Sequence, residues 1–182
     1  MKTISDHILD ILQNSVRADA TFIEIIITEN KKNDFYALEI TDNGCGMDDE
    51  TLKKVTDPFF TSRVTRKVGL GLSLLKQKAE GANGFLKISS QPKQGTKVKA
   101  VFQLSNIDRP PLGDIWETYY FSILSYQYIE IKYIHSTEKG KFEICSNEIK
   151  ETLDNVPLKN REIKKAIYEL IKNNLEIIEA TL

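Results

Sequence analysis

The sequence predicts an α/β, more narrowly α+β, two-layer sandwich: a mixed, mostly antiparallel sheet covered by helices on one face, with a small α+β extension at its C-terminal end. Three observations carry this. Residues 21–28 and 35–41 alternate apolar and polar side chains around a polar turn, and residues 85–90 and 96–104 do the same around 91–95, so two hairpins are expected. Residues 3–17 and the stretch that follows Gly71 have helical spacing instead. In the last of these strands Val98, Ala100, Phe102 and Leu104 point one way while Lys97, Lys99 and Gln103 point the other, the pattern of a sheet with one covered face.

The chain of 182 residues suits one moderate domain, or a domain with a smaller appendage. Pro110-Pro111 interrupts the pattern and places the expected division between residues 1–108 and 109–182. Lysine and arginine number 25 against 26 aspartates and glutamates, so no global field points to nucleic acid or to an anionic membrane surface. Cys45 and Cys145 match no metal-ligand spacing, no apolar run approaches the roughly 20 residues that cross a bilayer, and nothing at the N-terminus resembles a signal peptide. A reduced, cytoplasmic protein is the expectation.

In the first helix Ile4, Ile8, Ile11, Leu12 and Val16 form an apolar face, with Thr3 or Ser5 available as cap. His7, Asp10, Asn14 and Arg17 recur at spacings of three and four and form a polar stripe. It reads either as a solvated face or as a carboxylate, an amide and a guanidinium set in line to serve a metal and phosphates. The hairpin of residues 21–41 then runs into Asp42-Asn43-Gly44-Cys45-Gly46-Met47. A carboxylate entering Asn-Gly-x-Gly is ordinary turn chemistry, and it is also an acceptor beside backbone that a flat base can approach. Asp48 is placed to cap a short helix reaching Lys54, and Asp57-Pro58 to end it.

Residues 59–72 crowd Phe59, Phe60, the cations Arg63, Arg66 and Lys67, and Gly69-Leu70-Gly71-Leu72 before an apolar helix reaching about Glu80. Free backbone N–H groups at a glycine-rich helix start attract anions, so the segment reads as a lid over phosphates or as a basic surface loop. Beyond Pro111 an aromatic helix, a hairpin around 138–140 and two further helices are expected, with no catalytic constellation. There His135 stands alone near a turn, Trp116 and the tyrosines read as core, and Cys145 as a buried thiol.

Taken in order, the helix with Asp10 and Asn14, Asp42-x-Gly-x-Gly, Phe59-Phe60, Gly69-x-Gly71 and Gly95-Thr96 resembles the N, G1, F, G2 and G3 boxes of the GHKL superfamily over roughly residues 1–105. That superfamily groups gyrase B subunits, a heat-shock chaperone, histidine kinases and mismatch-repair proteins, and its fold is the Bergerat fold. The resemblance implies that ATP and Mg²⁺ are bound. Asp42 would accept from the adenine amino group, with Gly44, Gly46 and Met47 around the base and Thr96 helping through ordered water. Asn14 would hold Mg²⁺, and Arg17 stands where kinases of this group often have a phosphate-binding lysine. Gly69, Leu70, Gly71 and Leu72 would meet the phosphates, with Phe60, Arg63 and Lys67 belonging to the lid. Asp10 would act in catalysis, although it is aspartate where several members place glutamate.

Because the sequence starts at the N-box helix, without hairpin helices for a phospho-accepting histidine, the acceptor is expected in trans. His7 is then expected as a hydrogen-bonding neighbour of the site. Residues 106–182 lie outside the superfamily pattern; the whole looks like a stand-alone group of small histidine-kinase-like ATPases. The resemblance implies a kinase acting on a separate protein in signalling, or an ATP-driven switch that regulates a protein partner. The C-terminal aromatics are expected to pack on the ATPase layer and to offer a homodimer or partner surface.

Overall fold

Helix α1 (Ile4–Arg17) starts where its own side chains cap it. Thr3 Oγ1 accepts from the Asp6 amide at 3.1 Å while Asp6 Oδ2 accepts from the Thr3 amide at 3.1 Å, a reciprocal box worth about 1 kcal/mol over an uncapped end. Of the two candidate caps it is Thr3 that serves; Ser5 instead donates to Leu112 O at 2.6 Å. The computed structural model describes residues 1–57, 71–154 and 156–181.

Strands β1 (Phe22–Asn30) and β2 (Phe35–Asp42) form the first hairpin. The short α2 (Asp49–Lys54) is capped by Asp48, whose carboxylate accepts from Thr51 N at 2.8 Å. Helix α3 (Gly71–Gly81) leads into the second hairpin, β3 (Phe85–Gln91) and β4 (Gly95–Gln103). After the diproline come α4 (Ile115–Ser125), the hairpin β5 (Glu130–Thr137) with β6 (Gly140–Cys145), then α5 (Ser146–Leu153) and α6 (Arg161–Ile177).

One six-stranded sheet, in the order β3-β4-β2-β1-β5-β6, takes in both halves of the chain. Neighbours are antiparallel except β1 and β5, which run parallel with α4 in the connection before β5. Ile23, Ile25 and Ile27 of β1, Leu38 and Ile40 of β2, Val98 and Phe102 of β4 and Ile131 and Tyr133 of β5 are buried in one core with Ile4, Ile8, Ile11 and Leu12 of α1. On the other face Glu39 bridges Lys97 at 2.6 Å and Lys99 at 2.8 Å. The segments 1–108 and 109–182 thus share a sheet and a core. They are also stitched at the start of α1, where Ile4 and Ser5 amides donate to Pro111 and Leu112 carbonyls at 2.9 Å.

The C-terminal aromatics are largely interior: Tyr119 and Tyr120 are buried, Trp116 packs on the core, and Phe121 is exposed. His135 is not a solitary turn residue. It lies within β5, fully buried, its Nδ1 2.7 Å from the Tyr133 hydroxyl and its Nε2 2.8 Å from the buried Glu29. Burial pushes the Glu29 carboxyl up, but hydrogen bonds from His135 and from Thr181 N outweigh it and hold the group below its ordinary value. This network ties the C-terminal residues to β1 at the end of the sheet away from Asp42.

Candidate nucleotide site

Where β2 ends, α1, the turn after Asp42, the β3–β4 hairpin and the start of α3 enclose a cavity of about 340 Å³. Asp42 lines it and is buried. Its Oδ1 accepts from the amides of Gly44 (2.9 Å) and Thr96 (3.2 Å), and its Oδ2 from the Ser15 hydroxyl (2.7 Å). The strand register places Asp42 opposite Thr96, so the antiparallel pairing of β2 with β4 is what brings the two residues to the cavity together.

The turn is locked to the hairpin by backbone contact. Gly46 has φ +67°, and a Cβ there would stand 1.9 Å from Gln91 O; Gly95 has φ +87°, and its Cβ would stand 1.9 Å from Asp42 O. Both positions therefore exclude side chains because of the neighbouring protein backbone. Met47 N donates to Ser90 Oγ at 2.8 Å and Lys93 N to Cys45 O at 2.6 Å. Asn43 faces away from this work: its Oδ1 accepts from the Thr21 and Phe22 amides, both at 2.9 Å, pinning the start of β1.

A second set of polar residues lines the same cavity. Asp10, Asn14 and Arg17 of α1 line it together with Gly71 and Leu72 of α3. Arg17 Nη1 donates to Asn14 Oδ1 at 2.8 Å, and Asn14 Nδ2 reaches Asp10 Oδ2 at 3.5 Å. A Cβ on Gly71 would stand 1.7 Å from Asp10 Oδ2, so the first residue of α3 lies directly against the carboxylate.

His7, the fourth member of the stripe, departs from the expectation of a hydrogen-bonding neighbour. It is buried and both ring nitrogens lack a hydrogen-bond partner among the described residues. Its position on α1 turns it into the interior, and burial, with the N-terminal charge, pushes its imidazole down to about 4 against the pull of Asp6 and Asp10.

Of the residues singled out in the sequence, Asp10, Asn14, Arg17, Asp42, Gly46 and Met47 meet at this cavity. So do Gly71, Leu72 and Thr96. Gly44 acts through its amide on Asp42. Phe60, Arg63, Lys67, Gly69 and Leu70, with the rest of the expected lid, lie outside the described residues. Sequence reasoning missed Ser15 as a partner of Asp42 and Ser90 as the hydroxyl under Met47 and Thr96. Ser15 follows Asn14 directly, so its position in the N-box helix was a signal; Ser90 had none before the strand register was known.

A family model described as "Histidine kinase-, DNA gyrase B-, and HSP90-like ATPase" matches residues 3–106. The chain belongs to this family of ATPases. Members with related sequence include a putative sensor protein of Shewanella frigidimarina, 37% identical over 103 residues, which are 56% of this chain and 16% of that protein. The signal transduction histidine-protein kinase AtoS of Escherichia coli is 33% identical over 99 residues, 54% of this chain and 16% of the kinase. A probable C4-dicarboxylate sensor kinase of Bacillus subtilis is 32% identical over 90 residues, 50% of this chain and 16% of the kinase. The match thus spans about a sixth of the length of these kinases. The crystal structure of the N-terminal domain of a DNA repair protein shares the fold, with a TM-score of 0.53 at 18% identity, covering 79% of this chain and 52% of that one.

ATP is the ligand of HSP90-like and gyrase-like ATPase domains, and the cavity lining suits it: acceptors for an amino group on Asp42, together with the start of α3 and the Arg17 guanidinium for anionic groups. Mg²⁺ fits the same cavity only in part. No cluster of three carboxylate, histidine or cysteine side chains capable of holding a metal occurs among the described residues. Oxygen from Asn14 would therefore be a minor share of the coordination, with the phosphates and water supplying the rest, the usual arrangement for this ion. Arg17 occupies Asn14 Oδ1 in this structure and would have to turn toward the phosphates first.

Proposed function

We propose that this chain is an Mg-ATP-binding catalytic domain of histidine-kinase type that phosphorylates a separate protein in bacterial signalling. The observation that carries the reading is the convergence of two sets of side chains on one cavity. Asp42, fixed by three donors, offers acceptors for the base, while Asp10, Asn14 and Arg17, four and three residues apart along α1, line the same cavity and would meet the phosphates. Nucleotide bound there would have its γ-phosphoryl group oriented by these side chains; Arg17 would offset part of its charge, and Mg²⁺, which Asn14 would help to hold, would supply the rest. Where the acceptor is a hydroxyl or water, Asp10 would take its proton as its oxygen bonds to the γ-phosphorus and the bond to the β–γ bridging oxygen breaks, releasing ADP. No described helix is long and apolar enough to cross a membrane; a cytoplasmic site of action belongs to the proposal.

A second reading, an ATP-driven conformational switch acting on a protein partner, is favoured by a different observation. Segment 109–182 is bonded to the first turn of α1, the helix that carries Asp10 and Asn14, and α4 packs on that helix. Nucleotide held by α1 would thereby be felt in the C-terminal segment. Incubation with ATP labelled at the γ-phosphate separates the two. Label appearing on a second protein, and lost with Asn14→Ala, supports the kinase; release of labelled phosphate with no labelled protein supports the switch.

A further inference from the structure

We propose that the groove between the ends of α4 and α5 and segment 156–160 docks a partner protein, through an acidic segment that carries an apolar anchor. The groove holds a cavity of about 310 Å³ whose described lining shares no residue with the nucleotide site. The kinase and the switch each act on a protein partner, and this surface goes beyond both by giving that partner's chemistry. Leu124 of α4, Leu153 of α5 and Val156, Pro157 and Leu158 form apolar walls. Hydrogen bonds hold the walls in place. The Tyr120 hydroxyl donates to Leu158 O, Val156 N to Leu153 O and Asn160 N to Pro157 O, each at 2.9 Å.

The charged side chains among the described lining residues are both lysines, Lys150 and Lys159. Lys150 Nζ donates to Gln127 O at 2.7 Å, which ties α5 to the end of α4 and leaves its other N–H groups for a further acceptor. Lys159 is exposed. Lys164 adds a third cation beside the groove, its ammonium 5.6 Å from the centre of the Tyr120 ring and 5.3 Å from that of Phe121. A carboxylate docked here meets charges of opposite sign, and a docked lysine or arginine meets repulsion.

The extent of apolar surface decides between a small ligand and a protein. The cavity is near the lower bound of ligand pockets, about 300 Å³, and so suits an anchoring side chain. The apolar surface continues past it. Val156 on its wall is 43% exposed, Tyr128, next to Gln127, is 70% exposed, and Phe121, one turn before Leu124 on α4, is 44% exposed. A small molecule in the cavity leaves Tyr128 and Phe121 in water, whereas a protein segment covers them around a seated anchor. The occupant is therefore a segment with a leucine or aromatic anchor flanked by aspartate or glutamate.

The test is fluorescence anisotropy of labelled peptides with the full chain, without nucleotide. The probe carries a leucine and a phenylalanine four positions apart among glutamates and alanines; one control has lysines for the glutamates, another has serines for both anchors. The probe should bind about tenfold or more tightly than either control, the scale of one buried apolar side chain. Val156→Asp should weaken it by about tenfold, and Lys159→Glu by about threefold while strengthening the lysine control. A probe that binds no better than the controls, or binding indifferent to both substitutions, overturns the inference. So does capture of anionic phospholipid vesicles in place of the probe, or light scattering that shows a dimer dissolved by Val156→Asp. Should Val156→Asp fail to fold, an unchanged preference in Lys159→Glu overturns the inference by itself. Because the two cavities share no described residue, each of these results leaves the nucleotide site standing, and a chain that fails to bind ATP leaves the groove standing.

Discussion

Gly71 and Asp10 are in contact across the cavity, so close that a Cβ on Gly71 would stand 1.7 Å from Asp10 Oδ2. Asp10 has a short side chain on a rigid helix and could escape an added methyl group only by rotating away from the start of α3. Gly71→Ala should therefore lower the turnover number for ATP by about tenfold or more, as expected for a displaced proton acceptor, with a smaller change in ATP affinity. Steady-state hydrolysis with parallel calorimetry checks it. A variant with unimpaired turnover would show that the position of Asp10 does not matter.

Asp10 and Asn14 are one helical turn apart yet should fail differently. Asp10→Asn keeps the size and removes the proton acceptor, so Mg-ATP binding should persist while hydrolysis falls by about 10²-fold. Asn14→Ala should lose the metal dependence of ATP affinity as well. If a histidine is the acceptor, its neutral ring needs no base, and phosphotransfer survives Asp10→Asn; a serine or threonine acceptor loses it. Full hydrolysis by Asp10→Asn would remove Asp10 from catalysis.

His7 should make the protein sensitive to acid. In the unfolded chain it protonates near the ordinary value of 6.5, but in the folded protein burial pushes it down to about 4. The unfolded state thus binds the extra proton first as pH falls. The stability gained by keeping the ring neutral is complete above 6.5 and is lost as pH drops toward about 4. The slope is at most about 1.4 kcal/mol per pH unit. His7→Phe, which has nothing to protonate, should shallow the fall in thermal midpoint between pH 7 and pH 5. An unchanged slope would place the acid sensitivity elsewhere.

Residues 109–182 should prove inseparable from the rest. Without them β1 becomes an unpaired edge of isoleucines and the core loses Tyr119, Ile131 and Tyr133. We expect residues 1–108 alone to aggregate or to lack a cooperative thermal transition. Among the described residues of this segment, Phe121, Tyr128, Val156, Leu170 and Ile177 are exposed, and a dimer or partner contact would draw on such side chains. Light scattering of both chains is the measurement, and a monodisperse, cooperatively folding fragment would contradict the first expectation.

What the sequence revealed was what short-range chemistry encodes. Thr3 as cap, Asp48 as cap, the alternation in β1 and β4 and the glycine turn after Asp42 depend on residues a few positions away, so their patterns show in the string itself. The parallel pairing of β1 with β5 was hidden, because periodicity marks a strand without naming its neighbour. His7 was misread for a related reason: a stripe at spacings of three and four fixes which residues share a side of α1, but whether its first member is covered while the others open on the cavity depends on elements far along the chain that pack against α1. Ser15 and His135 show the same limit, since their partners Asp42 and Glu29 lie 27 and 106 residues away.

Calorimetric titration of Asp42→Asn with ATP tests the central claim most directly, because the substitution is one the fold accommodates. The new amide oxygen can still accept from Gly44 N and Thr96 N, and Ser15, released from the carboxylate, keeps Ile11 O at 3.2 Å as an acceptor. What changes is the group offered to the base, from acceptors alone to an amide that presents donors. Thermal unfolding should remain cooperative, while ATP affinity falls by about 10- to 100-fold, the scale of a hydrogen bond to a charged group. A folded Asp42→Asn variant that binds ATP as tightly as wild type would contradict the assignment of this cavity as the adenine site.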